Sequence, residues 1–182
     1  GGAPDSHTFM ALPQDQAVHF EAKDGQVAMK TDATEVSMPE VVLSSSEPGA
    51  MLLIKDVQFG VGWWWEGKQD RTYEGEFKIR PLDNGMIELV VKMPLEDYLL
   101  GVVPSEIGAT SPQEALRAQA VAARAEALLA LITGKYAGKH HDIGSDVDSQ
   151  AYTGNTKRTP ESDEAVRATR GLALYFEDKP LA

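Results

Sequence analysis

A long alanine-rich segment limits the folds open to this chain more than any other feature. Between Pro112 and Gly134 the larger apolar residues recur at helical spacing, with alanines between them. Serine at position 111 is a typical N-cap, proline is common at the first helical position, and glycine is a typical C-cap. The sequence therefore predicts a helix over residues 112–132, and a helix so rich in small side chains needs other elements packed on it.

The part of the chain before this helix carries strand and turn signals. Asp24-Gly25 is a strong hairpin signal, and Asp83-Asn84-Gly85 is a second turn between apolar, alternating segments. The predicted strands cover residues 17–21, 26–30, 41–43, 51–58, 77–80 and 87–91. Strands followed by helices indicate an α+β fold.

Shorter helices are predicted on both sides of the alanine-rich segment. Leu95, Tyr98 and Val102 follow helical spacing, and Pro104 is expected to break or restart that helix. Residues 159–162 open another short helix that ends at Gly171, and residues 172–176 then form a strand. We expect a β-rich region over residues 1–60, packed on a mixed domain over residues 61–182 that is built on the long helix.

The charge of the chain excludes several classes of partner. Its 28 acidic and 17 basic residues give a net charge of −11, which disfavours nucleic acid. It has no polybasic cluster and no apolar run of about 18 residues, so no strong membrane-binding feature is expected. The absence of cysteine excludes disulfides, a thiolate zinc site and a cysteine nucleophile. A neutral polymer or a small molecule fits this chain better.

Glu106 is the first candidate for chemistry. It follows Pro104 and is expected in a short irregular link between two apolar helices. Partial desolvation of a carboxyl group there would favour the protonated form that a general acid needs. Position alone favours the other interpretation, a carboxylate that caps a helix or stays solvated.

Two arginines are the next candidates. Arg117 and Arg124 are seven residues apart and therefore share one face of the long helix. They could line a cleft beside a catalytic carboxyl group, or pair structurally with Glu96, Asp97 or Glu114. The spacing does not separate these two interpretations.

Several motifs in order resemble the SpoIID/LytB family of bacterial cell-wall proteins, named after the stage II sporulation protein D and the amidase enhancer. The matching segments are residues 73–80 (YEGEFKIR), 95–107 (LEDYLLGVVPSEI), 114–125 (EALRAQAVAARA), 146–154 (DVDSQAYTG) and 165–171 (AVRATRG). The likeness extends over about residues 63–182. Several motifs at matching spacing are far more specific than one short pattern.

The resemblance implies a lytic transglycosylase that cleaves peptide-stripped peptidoglycan glycan strands outside the cytoplasmic membrane. It places the catalytic acid/base on Glu106 and two cleft cations on Arg117 and Arg124. Ser105, Gln150 and Tyr152 are expected to contact the glycan; for Gln150 and Tyr152, a purely structural role in an ordered loop is equally open. No cofactor is expected, and a cell-wall amidase is a candidate partner. The alternative is a module that binds glycan or enhances an amidase without cutting.

The chain departs from the family at two places. Relatives often carry a cysteine pair around the S-Q-x-Y motif, where this chain has Ser149 and no cysteine. A zinc site would have to use histidine and aspartate at poor spacing, so a solvated loop is favoured over a metal; those residues are His140, His141, Asp142, Asp146 and Asp148. Relatives also continue into a Ser/Gly-rich stretch that contributes to the cleft, so the domain is expected to be truncated at its C-terminal end.

Three consecutive tryptophans, Trp63, Trp64 and Trp65, are a further candidate contact with sugar. If they lie in a strand, Trp63 and Trp65 share one face and Trp64 takes the other. At least one of those faces is expected in the core.

Overall fold

The chain adopts an α+β fold, as the sequence predicts. The computed structural model describes residue 12 and residues 15–45, 47–145 and 149–181. Within these ranges, the strands are β1 (His19–Lys23), β2 (Gln26–Lys30), β3 (Glu35–Met38), β4 (Val41–Leu43), β5 (Leu52–Phe59), β6 (Gly67–Tyr73), β7 (Glu76–Pro81), β8 (Ile87–Lys92), β9 (Tyr175–Phe176) and β10 (Lys179–Pro180). The helices are α1 (Leu95–Ile107), α2 (Gln113–Thr133) and α3 (Pro160–Ala168). None of these helices is long and apolar enough to cross a membrane.

The strands form small sheets, of which β1-β2-β3, β5-β6 and β9-β10 are antiparallel. The described strands group as β1-β2-β3, β4-β7-β8, β5-β6 and β9-β10, in the order in which they are hydrogen-bonded. Two compact units divide the chain: one takes residues from 1–42 and 79–89, and the other from 43–78 and 90–182. The boundary expected after residue 60 therefore falls inside the second unit, between β5 and β6.

The first unit is built on the meander β1-β2-β3. Asp24 and Gly25 both have positive φ, 51° and 72°, as a two-residue hairpin turn requires. In the central strand β2, Val27, Ala28 and Met29 are all buried. Strand β3 was not predicted, because it is short and carries two polar residues in four.

The second unit contains the three helices, which contact one another. Their buried apolar side chains form its core: Leu99, Val102, Val103, Leu116, Ala120, Ala123, Ala127, Ala165 and Val166. Alanines dominate the α2 contribution, and small side chains allow neighbouring elements to approach closely. The predicted role of the alanine-rich helix is confirmed.

Two predicted helix boundaries were wrong. Pro104 does not break α1 but lies buried inside it. Only three helical residues follow Pro104, and the Ser105 hydroxyl donates to the Gly101 carbonyl at 2.7 Å. Ser111 does not cap α2, which begins at Gln113; its hydroxyl donates instead to the Ile107 carbonyl at 2.7 Å.

The last part of the second unit is less regular than predicted. Thr159 caps α3 in a capping box with Ser162, as the sequence indicates, but the helix ends at Ala168. The predicted strand over residues 172–176 is reduced to Tyr175–Phe176. One reason is that the Leu172 carbonyl accepts a hydrogen bond from Arg124 rather than from a neighbouring strand.

Candidate functional site

Glu106 lies in the last turn of α1, with its side chain exposed. The backbone N–H of Ala151 donates to its Oε1 at 2.5 Å. Within the described part of the chain, no hydrogen bond to Oε2 is present. The expected irregular link and the expected desolvation were therefore wrong, because α1 runs through Pro104 and ends at the surface. The carboxylate is nevertheless oriented by one backbone donor and open to solvent.

The loop that supplies this donor is held on α1 by side-chain hydrogen bonds. Ser105 Oγ and Thr153 Oγ1 are 2.7 Å apart. The Gln150 amide accepts from Tyr98 Oη at 3.2 Å and donates to Glu126 Oε2 at 3.1 Å. Ser105 and Gln150 are both predicted site residues, and they are the sequence neighbours of Glu106 and Ala151, the two residues joined by the hydrogen bond to the carboxylate.

The same loop passes close to the backbone of its neighbours at two glycines, one in α1 and one in the loop itself. A Cβ on Gly101 would lie 2.5 Å from the Gly154 carbonyl oxygen and 2.6 Å from the Tyr152 ring. A Cβ on Gly154, whose φ is 63°, would lie 2.1 Å from the Thr72 carbonyl oxygen. The loop therefore fits tightly between α1 and the end of β6, and the Asn155 N–H donates to the Thr72 carbonyl at 2.7 Å.

Tyr152 is buried between other aromatic rings rather than open to a ligand. Its ring centroid lies 5.1 Å from that of Tyr98 and 5.9 Å from that of Tyr73. Burial raises the pKa of Tyr98 and Tyr152 well above the ordinary value, so both phenols stay neutral. Tyr98 belongs to the buried core. Tyr152 therefore packs the loop against Tyr98 of α1 and Tyr73 of β6.

The hydrogen bonds of the two arginines that the structure describes go to groups other than Glu106. Arg124 has a side chain only 2% exposed and makes a bidentate pair with Glu96 at 2.8 and 2.9 Å. It also donates to the Leu172 carbonyl at 2.7 Å. Arg117 is half-exposed and pairs with Glu114 at 2.9 Å. These pairings are of the kind that the sequence left open, and the Arg124 side chain is buried.

Glu126 is a site residue that the sequence reasoning missed. It fixes Gln150, whose Nε2 also donates to the Ala123 carbonyl at 3.2 Å. The signal was available, because Glu126 is the only acidic residue between Arg117 and Thr133, in a stretch that is mostly apolar. A carboxylate kept on such a face needs a polar partner.

Metal binding finds no support in the described residues, which contain no group of three or more His, Asp or Glu side chains that could hold an ion. His141 packs instead against Tyr136, with ring centroids 5.4 Å apart. Asp146 and Asp148, two of the candidate ligands named from the sequence, lie outside the described residues.

Comparisons with known proteins agree with the motifs. The model of the SpoIID family, stage II sporulation protein, matches residues 83–176, just over half of the chain. An uncharacterized protein of Brachyspira hyodysenteriae is 35% identical over 111 residues, covering 60% of this chain and 29% of that protein. Stage II sporulation protein D of Bacillus subtilis is 32% identical over 107 residues, covering 50% of this chain and 31% of that protein. The same-named protein of Bacillus amyloliquefaciens is 36% identical over 107 residues, covering 50% and 30%.

The chain thus spans about three tenths of the length of these curated relatives. No solved structure matches it.

Proposed function

The chain belongs to the SpoIID family, and from that premise we propose that it is a lytic transglycosylase of peptidoglycan. Its substrate is the glycan strand, stripped of peptides, and its site of action lies outside the cytoplasmic membrane, where that polymer is. The observation that carries the proposal is the Glu106 carboxylate, exposed and oriented by the Ala151 N–H. A cell-wall amidase acting on the same polymer is the proposed partner.

The chemistry needs one carboxyl group. Protonated Glu106 donates its proton to the glycosidic oxygen between N-acetylmuramic acid and N-acetylglucosamine, and the bond from C1 to that oxygen breaks. The C6 hydroxyl of the muramic acid residue then attacks C1 and gives its proton to the Glu106 carboxylate. A 1,6-anhydro ring closes, no water is consumed, and the acid is regenerated. The substrate's N-acetyl group can stabilise the positive charge that develops at C1.

The surrounding residues divide between contact and support. Arg117, half-exposed on α2, is the proposed cation for the glycan. Ser105, Gln150 and Tyr152 hold the loop that carries the Ala151 N–H, so their proposed role is to orient Glu106. The proposed role of Arg124 is to hold α1 in place through Glu96, not to contact the substrate.

A second function is favoured by one specific observation. Glu106 is exposed rather than desolvated, and an exposed carboxyl group lacks the environment that usually keeps a general acid protonated. The same surface could hold glycan strands, or assist an amidase, without cleaving them.

Glycan digestion separates the two functions. Peptide-stripped strands are incubated with the chain, with Glu106→Gln and with Glu164→Gln, an equally exposed carboxylate on α3 that serves as matched control. We expect 1,6-anhydro ends by mass spectrometry from the parent and the control, and none from Glu106→Gln. Products with hydrated reducing ends would show that the chain is a hydrolase and not a transglycosylase. No product from any of the three, with glycan still bound, would establish the non-catalytic module.

A further inference from the structure

The loop between β5 and β6, residues 60–66, presents an unusually apolar tip to solvent. We call it the tryptophan loop, because it contains all three tryptophans of the chain. Trp64 is 93% exposed, Trp63 64% and Val61 65%. The tryptophans do not lie in a strand, so the two-face arrangement considered for them does not apply: residues 60–65 form a turn that connects β5 to β6.

Hydrogen bonds within the loop hold its shape. The Trp63 N–H donates to the Gly60 carbonyl at 2.9 Å, and the Glu66 N–H to the Trp63 carbonyl at 3.0 Å. The Gly62 N–H donates to Glu66 Oε2 at 2.8 Å. A loop fixed in this way presents its side chains without a large further loss of conformational entropy on binding.

One of the three indoles anchors the loop while the others project from it. The Trp65 ring stacks on Phe59, with centroids 6.4 Å apart. It also lies against Gly60, where a Cβ would come within 2.4 Å of the ring. This packing leaves Trp63 and Trp64 as the exposed contact residues.

The tip of the tryptophan loop carries no net charge that a partner could recognise. No charged residue occurs between positions 57 and 65, and the carboxylate of Glu66 is turned back onto the loop. On the flanking strands the exposed charges are two of each sign, Lys55 and Lys68 against Asp56 and Asp70. A partner that recognises the tip must therefore do so mainly through apolar and aromatic contact.

We propose that the tryptophan loop docks the protein on the surface of a lipid bilayer, with Val61, Trp63 and Trp64 inserted at the level of the headgroups. Indole rings favour this interface, because one part of the ring is apolar and the N–H can still reach water. Sugar recognition fits less well, since stacking on a sugar face is normally combined with polar side chains around the ring. At this tip the polar side chain nearest in sequence, Glu66, already accepts from the backbone.

This docking mode is independent of the candidate active site. The loop joins the start of β6, whereas the loop that holds Glu106 contacts Thr72 and Tyr73 at its end. Six residue steps along a strand separate the two ends of β6 by about 20 Å. The proposal revises the expectation of no strong membrane-binding feature, which considered polybasic clusters and apolar runs but not adjacent exposed indoles.

Because all the tryptophans lie in this loop, fluorescence excited at the red edge, where tyrosine does not absorb, reports on the loop alone. The chain is mixed with phosphatidylcholine vesicles, plain or brominated near the headgroup, at low and high salt. We expect a blue shift of the emission, quenching by the brominated lipid, and no loss of either at high salt, because the contact is apolar.

Vesicle flotation tests the residues. In Trp63→Ser/Trp64→Ser we expect the bound fraction to fall by about tenfold, since each tryptophan buries about 150–250 Å² when it inserts. Ile132→Ser, an equally exposed apolar position at the end of α2 (68%), should bind like the parent. Circular dichroism confirms that each variant is folded. Tryptophan emission that shifts with peptidoglycan oligomers but not with vesicles, or that shifts with neither, would overturn the proposal. Equal vesicle binding by the parent, the double tryptophan variant and Ile132→Ser would overturn it as well.

Discussion

Arg124 shows how a single charged side chain can serve packing rather than chemistry. Its guanidinium is enclosed, and it joins α1 through Glu96 to the segment after α3 through the Leu172 carbonyl. Two ionised groups in such a place are tolerated because each satisfies the other's hydrogen bonds. Removing one of them leaves the other uncompensated.

We therefore expect Arg124→Met to lower the free energy of unfolding by about 2–4 kcal/mol, because the Glu96 carboxylate loses its partner. The matched variant is Arg117→Met, which removes an exposed pair with Glu114. Its expected cost is at most about 1 kcal/mol. Urea unfolding followed by circular dichroism measures both. Equal losses in the two variants would show that burial does not distinguish these arginines.

The same pair predicts a pH dependence of stability. The hydrogen-bonded Arg124 guanidinium holds the pKa of Glu96 below its ordinary value of 4.5. A carboxyl group with a lowered folded-state pKa contributes stability that is complete above the unfolded-state value and is lost as the pH falls through the folded-state value. The difference in unfolding free energy between the parent and Glu96→Gln should thus be largest near pH 7 and shrink below pH 4.5.

The measurement is a set of urea unfolding curves at several pH values between 7 and 3. Glu164→Gln, at an exposed position on α3, is the control and should differ little from the parent throughout. If the difference in unfolding free energy between the parent and Glu96→Gln stays constant with pH, the Glu96 carboxyl group does not contribute the predicted pH dependence.

At the scale of elements, the loop around residues 149–155 and helix α1 act together. The loop carries the donor to Glu106, and α1 has a glycine where the loop backbone passes. The orientation of the candidate acid therefore depends on how closely these two elements approach.

Gly101→Ala tests this dependence. In a helix with free space, alanine is more stable than glycine by about 1 kcal/mol. Here the added methyl group would meet the Gly154 carbonyl oxygen and the Tyr152 ring, so we expect a loss of about 1–3 kcal/mol by urea unfolding. Ala118→Gly on the exposed side of α2 measures helix propensity alone. A stabilised Gly101→Ala variant would mean that the loop is not held against α1.

The elements that could be predicted from the sequence have local causes. Helix α2 is specified by its spacing and its glycine cap, and the hairpin at Asp24-Gly25 by its turn residues. Strand β6 was missed, because its sequence GKQDRTY is polar and only Arg71 and Tyr73 are buried. Tertiary contact with Tyr152 in the loop, not local preference, accounts for the burial of Tyr73.

At the scale of the whole molecule, family membership followed from the order of the motifs, but the surroundings of the site did not. The motifs make Glu106 the candidate acid/base, yet they do not show that α1 passes through Pro104 and leaves the carboxylate exposed. Arg117 and Arg124 share a helical face, yet one is enclosed and the other half-exposed. Burial depends on elements that are distant in sequence, and residue spacing within one helix carries no information about them.

The fit of the loop against β6 has a consequence for how the protein is made. Thr72 and its partner Thr156 are 84 residues apart along the chain. At about 5–20 residues per second of synthesis, β6 waits about 4–17 s for the segment that covers its end. During that interval Tyr73 lacks the ring of Tyr152 that packs on it, and the Thr72 carbonyl is hydrated instead of bonded to the Asn155 N–H, so the end of β6 is completed only after the segment that follows α2 has been made.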